Sequence, residues 1–229
     1  MKSTDAKKSS ASADASDAGA FFHGFADAFD TFYDGKRSVI MQWVDRRFRS
    51  DMFARYELTF ERLGNLEGRR GLDIGCGSGP YVVEALRRGA EHVIALDPAP
   101  RMLELTRQRA ERHGMAHKIT LIEGYFPNKL PEGKVDFAIV MGVLDYVHDP
   151  VPFLKGLKQV VTDKSVISFP SNHWLRAPLR KIRYRLRHCP VYFYTEDRIR
   201  SLARQSGFSE VDVRKIPGAG MDYHVCLRS

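Results

Sequence analysis

The sequence predicts an α/β fold in which a mostly parallel β-sheet carries helices on both faces. Short apolar runs alternate with amphipathic segments from Leu72 to Ser206, which is the order expected of parallel strands joined by helices. The apolar runs are continuous rather than alternating, as in strands that are buried on both sides. The last two runs, Val211–Ile216 and Tyr223–Leu227, are separated by a Pro/Gly-rich turn and no helix. They predict a terminal hairpin that places one antiparallel strand in the sheet.

The individual elements follow from the two periodicities. The predicted strands before the hairpin are Leu72–Ile74, His92–Leu96, Ile119–Ile122, Val135–Met141 and Val166–Phe169, and the predicted helices between them are Pro80–Arg88, Ala99–His113, Pro150–Val161 and Thr195–Ser206. Ahead of this alternation, aromatic residues at helical spacing predict a helical region over residues 21–66. Residues 1–20 are mostly Ser, Ala, Asp and Lys, a composition that predicts a disordered tail. The domain proper is then 67–229.

A basic segment interrupts the pattern between the fifth strand and the next helix, at residues 172–190. It contains no acid from Asn172 to His188, and its cations are Arg176, Arg180, Lys181, Arg183, Arg185 and Arg187. These six charges compare with a net charge of +8 for all 229 residues. Apolar residues at steps of four, three and four predict an amphipathic helix here. Such a helix can pack on the core with a solvated basic face. It can also lie on an anionic membrane surface through residues 174–188, dock an acidic partner or cap a pocket for an anion. The segment gives no strong nucleic-acid signal.

The sequence disfavours a membrane-spanning protein and a secreted protein. No run of 18 apolar residues is present, and the first twenty residues lack the apolar stretch of a secretory signal. Cys76, Cys189 and Cys226 have neither metal-ligand nor disulfide spacing, so the predicted location is the cytoplasm. No HxxxH, CxxC or clustered-acid pattern predicts a metal site.

The most specific local feature is the run Leu72-Asp73-Ile74-Gly75-Cys76-Gly77-Ser78-Gly79-Pro80. Three glycines at alternate positions follow a strand and precede a helix, so the backbone can turn sharply and approach a ligand closely. The helix start offers N–H groups to a carboxylate or phosphate. Pro80 suits the first helical position, because its missing N–H has no partner to lose there.

An acid at a second position sharpens the prediction. Asp97 ends the next strand, eighteen residues beyond Gly79, where a carboxylate can accept hydrogen bonds from both ribose hydroxyls. The pair predicts an adenosine-type ligand. A dinucleotide is the rival, but its G-x-G-x-x-G fingerprint would need a glycine at Pro80. Asp73, two residues before the first glycine, suits an ammonium group and has no obvious role beside a pyrophosphate.

These features resemble the class I S-adenosylmethionine-dependent methyltransferases, over about Gly68 to Leu227. The resemblance implies a Rossmann-like sheet of seven strands with the last antiparallel, an N-terminal helical lid over residues 21–66, and S-adenosylmethionine as cofactor. The cofactor-binding residues that it implies are Tyr33, Asp73, Gly75, Gly77, Gly79, Asp97, Pro98, Met102, Gly124, Tyr125 and Met141. Tyr125 stands where the family usually has an acid for the adenine amino group. A weaker similarity to magnesium-protoporphyrin O-methyltransferases rests on residues 143–146 and 87–90.

The predicted reaction is methyl transfer to an oxygen or nitrogen of a small-molecule or lipid-like acceptor. An anionic acceptor would suit the basic segment. A base is useful if the acceptor atom carries a proton, and the candidates after the fourth and fifth strands are Asp145, Tyr146, His148 and His173, with Tyr223 and His224 in the hairpin. Two alternatives remain: a nucleic-acid methyltransferase, and a non-catalytic cofactor-binding regulatory protein of the same fold.

Overall fold

The structure, a computed structural model, describes residues 53–171, 191–216 and 222–228. The predicted tail, the predicted lid up to residue 52, and the basic segment from residue 172 lie outside these ranges, and so do two predicted site residues, Tyr33 and His173.

A seven-stranded sheet forms the centre of the described chain. Its strands are β1 (Arg70–Ile74), β2 (His92–Asp97), β3 (Ile119–Glu123), β4 (Val135–Val140), β5 (Val161–Phe169), β6 (Glu210–Lys215) and β7 (Tyr223–Arg228). They lie in the order β3-β2-β1-β4-β5-β7-β6. The pairs among β1 to β5 are parallel, whereas β7 runs antiparallel to both β5 and β6. The predicted fold class is therefore confirmed, including the terminal hairpin.

Five α-helices accompany the sheet in the described chain: α1 (residues 53–63), α2 (Pro80–Arg87), α3 (Pro100–Arg112), α4 (Pro150–Val160) and α5 (Glu196–Gln205). Three of them begin with proline, whose fixed φ and missing N–H suit a first helical turn. Two begin at capping side chains, because Asp149 accepts from the backbone N–H of Val151 and Thr195 accepts from that of Arg198. None of the helices in the described ranges is long and apolar enough to cross a membrane.

Alternate residues of each central strand face two separate apolar cores. Leu72 and Ile74 of β1 point into the core beneath α4 and α5. On the other face, Val93 and Ala95 of β2 pack with residues of α1 and α2. The period of two along a strand produces this division. Asp73, between Leu72 and Ile74, therefore points to the α1 and α2 side.

One predicted boundary is wrong by several residues. The apolar run predicted that the fifth strand starts at Val166, but β5 starts at Val161, directly after α4. Two of the polar residues between them have partners outside the strand: the Thr162 hydroxyl donates to the Val135 carbonyl at 3.2 Å, and Lys164 Nζ donates to the Leu63 carbonyl at the same distance. Polar side chains with partners of their own extend this strand without an apolar signal.

Candidate cofactor and acceptor site

The glycine loop follows β1 at the carboxyl edge of the sheet, and its three predicted glycines all have positive φ, +70° at Gly75, +55° at Gly77 and +78° at Gly79. A Cβ at Gly79 would lie 2.7 Å from Cγ2 of Thr106, so a side chain there would collide with α3. A Cβ at Gly77 meets no atom within 4 Å. The backbone at Gly77 therefore borders open space, as a ligand-binding loop requires.

Asp97 holds this loop from the end of β2. Its Oδ2 accepts a hydrogen bond from the Gly77 N–H at 3.0 Å, and its Oδ1 accepts from the Ala99 N–H at 2.9 Å. Burial raises the pKa of this carboxyl group, and the two backbone donors lower it in part. Each carboxylate oxygen can accept more than one hydrogen bond, so both oxygens retain capacity for hydroxyl groups of a ligand.

Asp73 is the polar group in the site whose environment is least complete. The residue is 1% exposed, and its Oδ2 has no hydrogen-bond partner among the described residues. Burial, together with the charge of Asp97, raises the pKa of Asp73 to about 8. A buried carboxylate without a partner is costly, and a cationic group placed beside it would remove that cost. The ammonium end of S-adenosylmethionine fits this requirement.

Two residues of α3 that the sequence did not single out also hold the loop. The Thr106 hydroxyl donates to the Gly77 carbonyl at 2.8 Å, and Arg109 Nε donates to the Ser78 carbonyl at 2.8 Å. They lie three positions apart on one face of the helix after Asp97. That spacing was the available signal, but only the fold shows which loop the face meets.

The residues predicted to hold the adenosine lie beside Asp97. The Gly124 N–H donates to the Asp97 carbonyl at 3.2 Å, which places the turn after β3 next to the end of β2. Pro98 and Tyr125 are half-buried. Met102 is 2% exposed and packs with Ala99 and Leu105. The structure thus places Gly124 against the end of β2 and buries Met102 beside Ala99 at the start of α3.

Met141 follows β4 and connects the site with α1. It is half-buried and packs against the core on the α1 and α2 side. Its Sδ lies 3.9 Å from the hydroxyl oxygen of Thr59 in α1. Helix α1 therefore lies against the carboxyl end of β4.

Three candidate catalytic residues share the loop between β4 and α4. Asp145 is 4% exposed, Tyr146 is half-buried and His148 is exposed. The segment before α5 holds this loop, since the Tyr192 N–H donates to the Asp145 carbonyl at 2.9 Å and the Tyr194 hydroxyl donates to the Leu144 and Val147 carbonyls.

His224 is removed from the candidate bases. Its side chain has no exposed surface, and Nδ1 lies 3.0 Å from Nη1 of Arg62 while Nε2 lies 3.1 Å from Oγ1 of Thr59. Because a guanidinium only donates, Nδ1 accepts and the proton sits on Nε2. Burial and the charge of Arg62 lower the pKa of His224 to about 3. Tyr223, also a candidate, is 8% exposed. Within the described ranges no three His, Cys, Asp or Glu side chains form a metal site.

Comparison with known proteins identifies the family. The profile of a methyltransferase-domain family matches residues 48–213, most of the chain. The chain belongs to this methyltransferase family. The family predicted from the glycine loop and Asp97 is thereby confirmed, and with it S-adenosylmethionine as the cofactor.

The chain shares its fold with several solved structures. The magnesium protoporphyrin IX methyltransferase of Synechocystis PCC 6803 with bound SAH is 22% identical, with a TM-score of 0.75, and the match covers 94% of this chain and 100% of that one. An S-adenosylmethionine-dependent methyltransferase of Mesorhizobium loti is 21% identical with a TM-score of 0.65, over 77% of this chain and 98% of that one.

The chain also has curated relatives with a shorter match. The ribosomal protein L11 methyltransferase of Vibrio parahaemolyticus is 37% identical over 94 residues, which is 41% of this chain and 31% of the relative. The tRNA U34 carboxymethyltransferase of Idiomarina loihiensis is 35% identical over 123 residues, which is 52% of this chain and 37% of the relative. The matched part of the chain thus spans about a third of the length of these relatives.

Proposed function

We propose that the chain transfers the methyl group of S-adenosylmethionine to an oxygen or nitrogen atom of a small-molecule acceptor. The observation that carries this proposal is the buried carboxyl group of Asp73, whose Oδ2 has no partner in the described chain, beside the glycine loop that Asp97 holds. A zwitterionic, adenosine-bearing ligand supplies an ammonium group for the first carboxylate and hydroxyls for the second. The membership in the methyltransferase family supports the same ligand.

Different groups of the predicted residues would bind different parts of the cofactor. Asp73 and the backbone of Gly75, Gly77 and Gly79 would hold its amino-acid end. Asp97 would accept from the ribose hydroxyls, with Pro98, Met102, Gly124 and Tyr125 around the adenine, and Met141 with Tyr33 toward the sulfonium. When bound, this cofactor supplies an activated methyl group, so that the protein mainly aligns the acceptor and excludes water.

The loop between β4 and α4 is the proposed acceptor side of the site. Ligands of open α/β sheets bind at the carboxyl ends of the strands, and Asp145, Tyr146 and His148 follow β4 there; His173 follows β5 but lies outside the described residues. His148 is the best placed of the described three to receive a proton, because its side chain is exposed.

A small-molecule acceptor is favoured over a macromolecular one by the extent of the structural match. The structural match to the porphyrin methyltransferase covers 94% of this chain and 100% of that one. The sequence match to the ribosomal-protein methyltransferase covers 41% of this chain and 31% of that relative. An anionic acceptor would also complement the arginine-rich sequence of residues 174–188.

The test is transfer of a labelled methyl group from S-adenosylmethionine into a cell extract that is separated into small-molecule, protein and RNA fractions. We expect label in the small-molecule fraction, and its loss with the Asp97→Ala variant. Label in the protein or RNA fraction instead would show that the acceptor is a macromolecule and would contradict a small-molecule acceptor. Cofactor binding with no transfer into any fraction would support the regulatory alternative.

A further inference from the structure

His148 has a specific partner on the segment before α5. Its Nδ1 lies 3.0 Å from the hydroxyl oxygen of Tyr192. The two rings are in a T-shaped contact, with centroids 5.3 Å apart and an interplanar angle of 60°. The residues are 44 positions apart in the sequence, so the fold rather than local chain geometry brings them together.

The backbone on both sides of this contact is fixed. Asp149, next to His148, caps α4 by accepting from the Val151 N–H at 3.2 Å. The Tyr192 N–H donates to the Asp145 carbonyl at 2.9 Å. The side-chain contact of His148 with Tyr192 therefore joins two anchored segments, which gives the imidazole a defined orientation at an otherwise exposed position.

The direction of the hydrogen bond at Nδ1 determines which nitrogen of His148 can act as a base. If Nδ1–H donates to the phenol oxygen of Tyr192, the proton of the neutral imidazole is on Nδ1 and the lone pair of Nε2 faces away from the contact. This is the arrangement in which a partner on one ring nitrogen prepares the other nitrogen to take a proton. A phenol oxygen can accept this bond while its own hydrogen points elsewhere.

We propose that Tyr192 is a positioning residue that holds His148 as the Nδ1–H tautomer, so that Nε2 takes a proton from a hydroxyl or amine acceptor. This proposal rests on the proposed methyl transfer and narrows its acceptor to a group that carries a proton. A carboxylate acceptor would need no base. The acceptor atom forms its bond to the methyl carbon as its proton passes to Nε2; the carbon–sulfur bond breaks and its electron pair stays on sulfur.

The first test measures the tautomer directly and needs no acceptor. Long-range ¹H–¹⁵N correlation of the labelled full chain with S-adenosylhomocysteine distinguishes a protonated from an unprotonated ring nitrogen, at a pH of about 8.5, where an ordinary imidazole is neutral. The His148→Gln variant assigns the signal. We expect Nδ1–H in the wild-type chain and a mixture of tautomers in Tyr192→Phe, which keeps the aromatic ring.

Tyr194→Phe is the matched control. The Tyr194 hydroxyl also holds the β4–α4 loop, but it does so through the Leu144 and Val147 carbonyls, whereas Nδ1 of His148 contacts Tyr192. We expect this variant to keep the wild-type tautomer. A wild-type proton on Nε2, or an equal change in both variants, would overturn the positioning role.

The second test uses the labelled-methyl assay with the small-molecule fraction at saturating S-adenosylmethionine. Tyr192→Phe should lower the rate about two- to tenfold, the effect of one neutral hydrogen bond, while the Kd for S-adenosylhomocysteine stays unchanged. A wild-type rate in Tyr192→Phe would overturn the inference and leave the proposed function intact. If the wild-type chain itself transfers no label, the proposed function fails, and the tautomer measurement still decides the role of Tyr192.

Discussion

At the scale of single residues, the site is built around carboxyl groups in unequal environments. Asp97 already has two backbone donors, whereas Oδ2 of Asp73 has no partner in the described chain. The sequence predicted both acids from their distance to the glycines. It could not predict that Asp97 would have two hydrogen-bond donors while Oδ2 of Asp73 has none, because that difference depends on which backbone N–H groups the fold places beside each carboxyl group.

The raised pKa of Asp73, about 8, predicts that cofactor binding releases a proton. Below that pH the group is protonated, and a neighbouring ammonium favours its carboxylate form. The affinity for S-adenosylmethionine should therefore increase between about pH 5.5 and 7.5, below the pKa of an α-amino group, by at most about tenfold per pH unit. Titration calorimetry in buffers of different ionisation enthalpy measures the released proton.

Asp73→Asn is the control for this linkage, because an amide does not titrate. The variant should bind more weakly and lose the increase of affinity with pH. Wild-type binding that is independent of both pH and buffer would show that Asp73 does not face the cationic end of the cofactor.

Thr106 offers a second test at the residue scale. Thr106→Val keeps the side-chain shape but removes the donor to the Gly77 carbonyl, a bond of 2.8 Å. The Kd for S-adenosylmethionine should rise by the equivalent of about 0.5–1.5 kcal/mol, the net value of one hydrogen bond. Thr120→Val is the matched control, since the hydroxyl of Thr120 in β3 makes an exposed contact with His92 of β2. Equal affinity in the two variants would mean that α3 does not shape the loop.

At the scale of elements, apolar periodicity located the strands but not all of their ends or partners. β1, β2 and β4 are buried on both faces and were predicted from continuous apolar runs. β5 begins five residues early because Thr162 and Lys164 have polar partners of their own. The contact of α1 with β7 has no sequence signal, since His224 lies 165 residues from Thr59 and 162 from Arg62.

This contact predicts that His224 fastens α1 to the last strand. His224→Gln should lower the free energy of unfolding by about 1–3 kcal/mol, because it disturbs buried partners on both sides. His92→Gln, which breaks an exposed contact with Thr120, should change it by less than about 0.5 kcal/mol. Urea unfolding measures both.

The pH dependence of this contact has a definite sign. The pKa of His224 is lowered from 6.5 to about 3 in the folded protein, so the unfolded chain binds the proton more readily. The stabilisation is fully present above pH 6.5 and decreases as the pH falls toward 3. His224→Gln should lack this part of the acid destabilisation, and an unchanged profile would contradict the burial of a neutral imidazole.

At the scale of the whole molecule, the cofactor-binding candidates and the acceptor-side candidates lie after different strands at the carboxyl edge of the sheet. The ends of β1, β2 and β3 carry the glycine loop, Asp97 and Gly124, and the connection after β4 carries the acceptor candidates. The sequence suggested the residues of the first half because they lie within one continuous stretch of βαβ pattern. It left the second half open, since Tyr192 and Tyr194 meet that loop only in the folded chain.

The central claim is that the glycine loop and its two acids bind S-adenosylmethionine, and titration calorimetry of the full chain tests it most directly. We expect micromolar binding of S-adenosylmethionine and S-adenosylhomocysteine. Asp97→Ala should weaken both by about 1–3 kcal/mol, as expected for lost hydrogen bonds to a charged group. Asp163→Ala, at a half-exposed carboxylate paired with Arg69, should bind like the wild type. No binding of either ligand, or an unchanged Kd in Asp97→Ala, would contradict the claim.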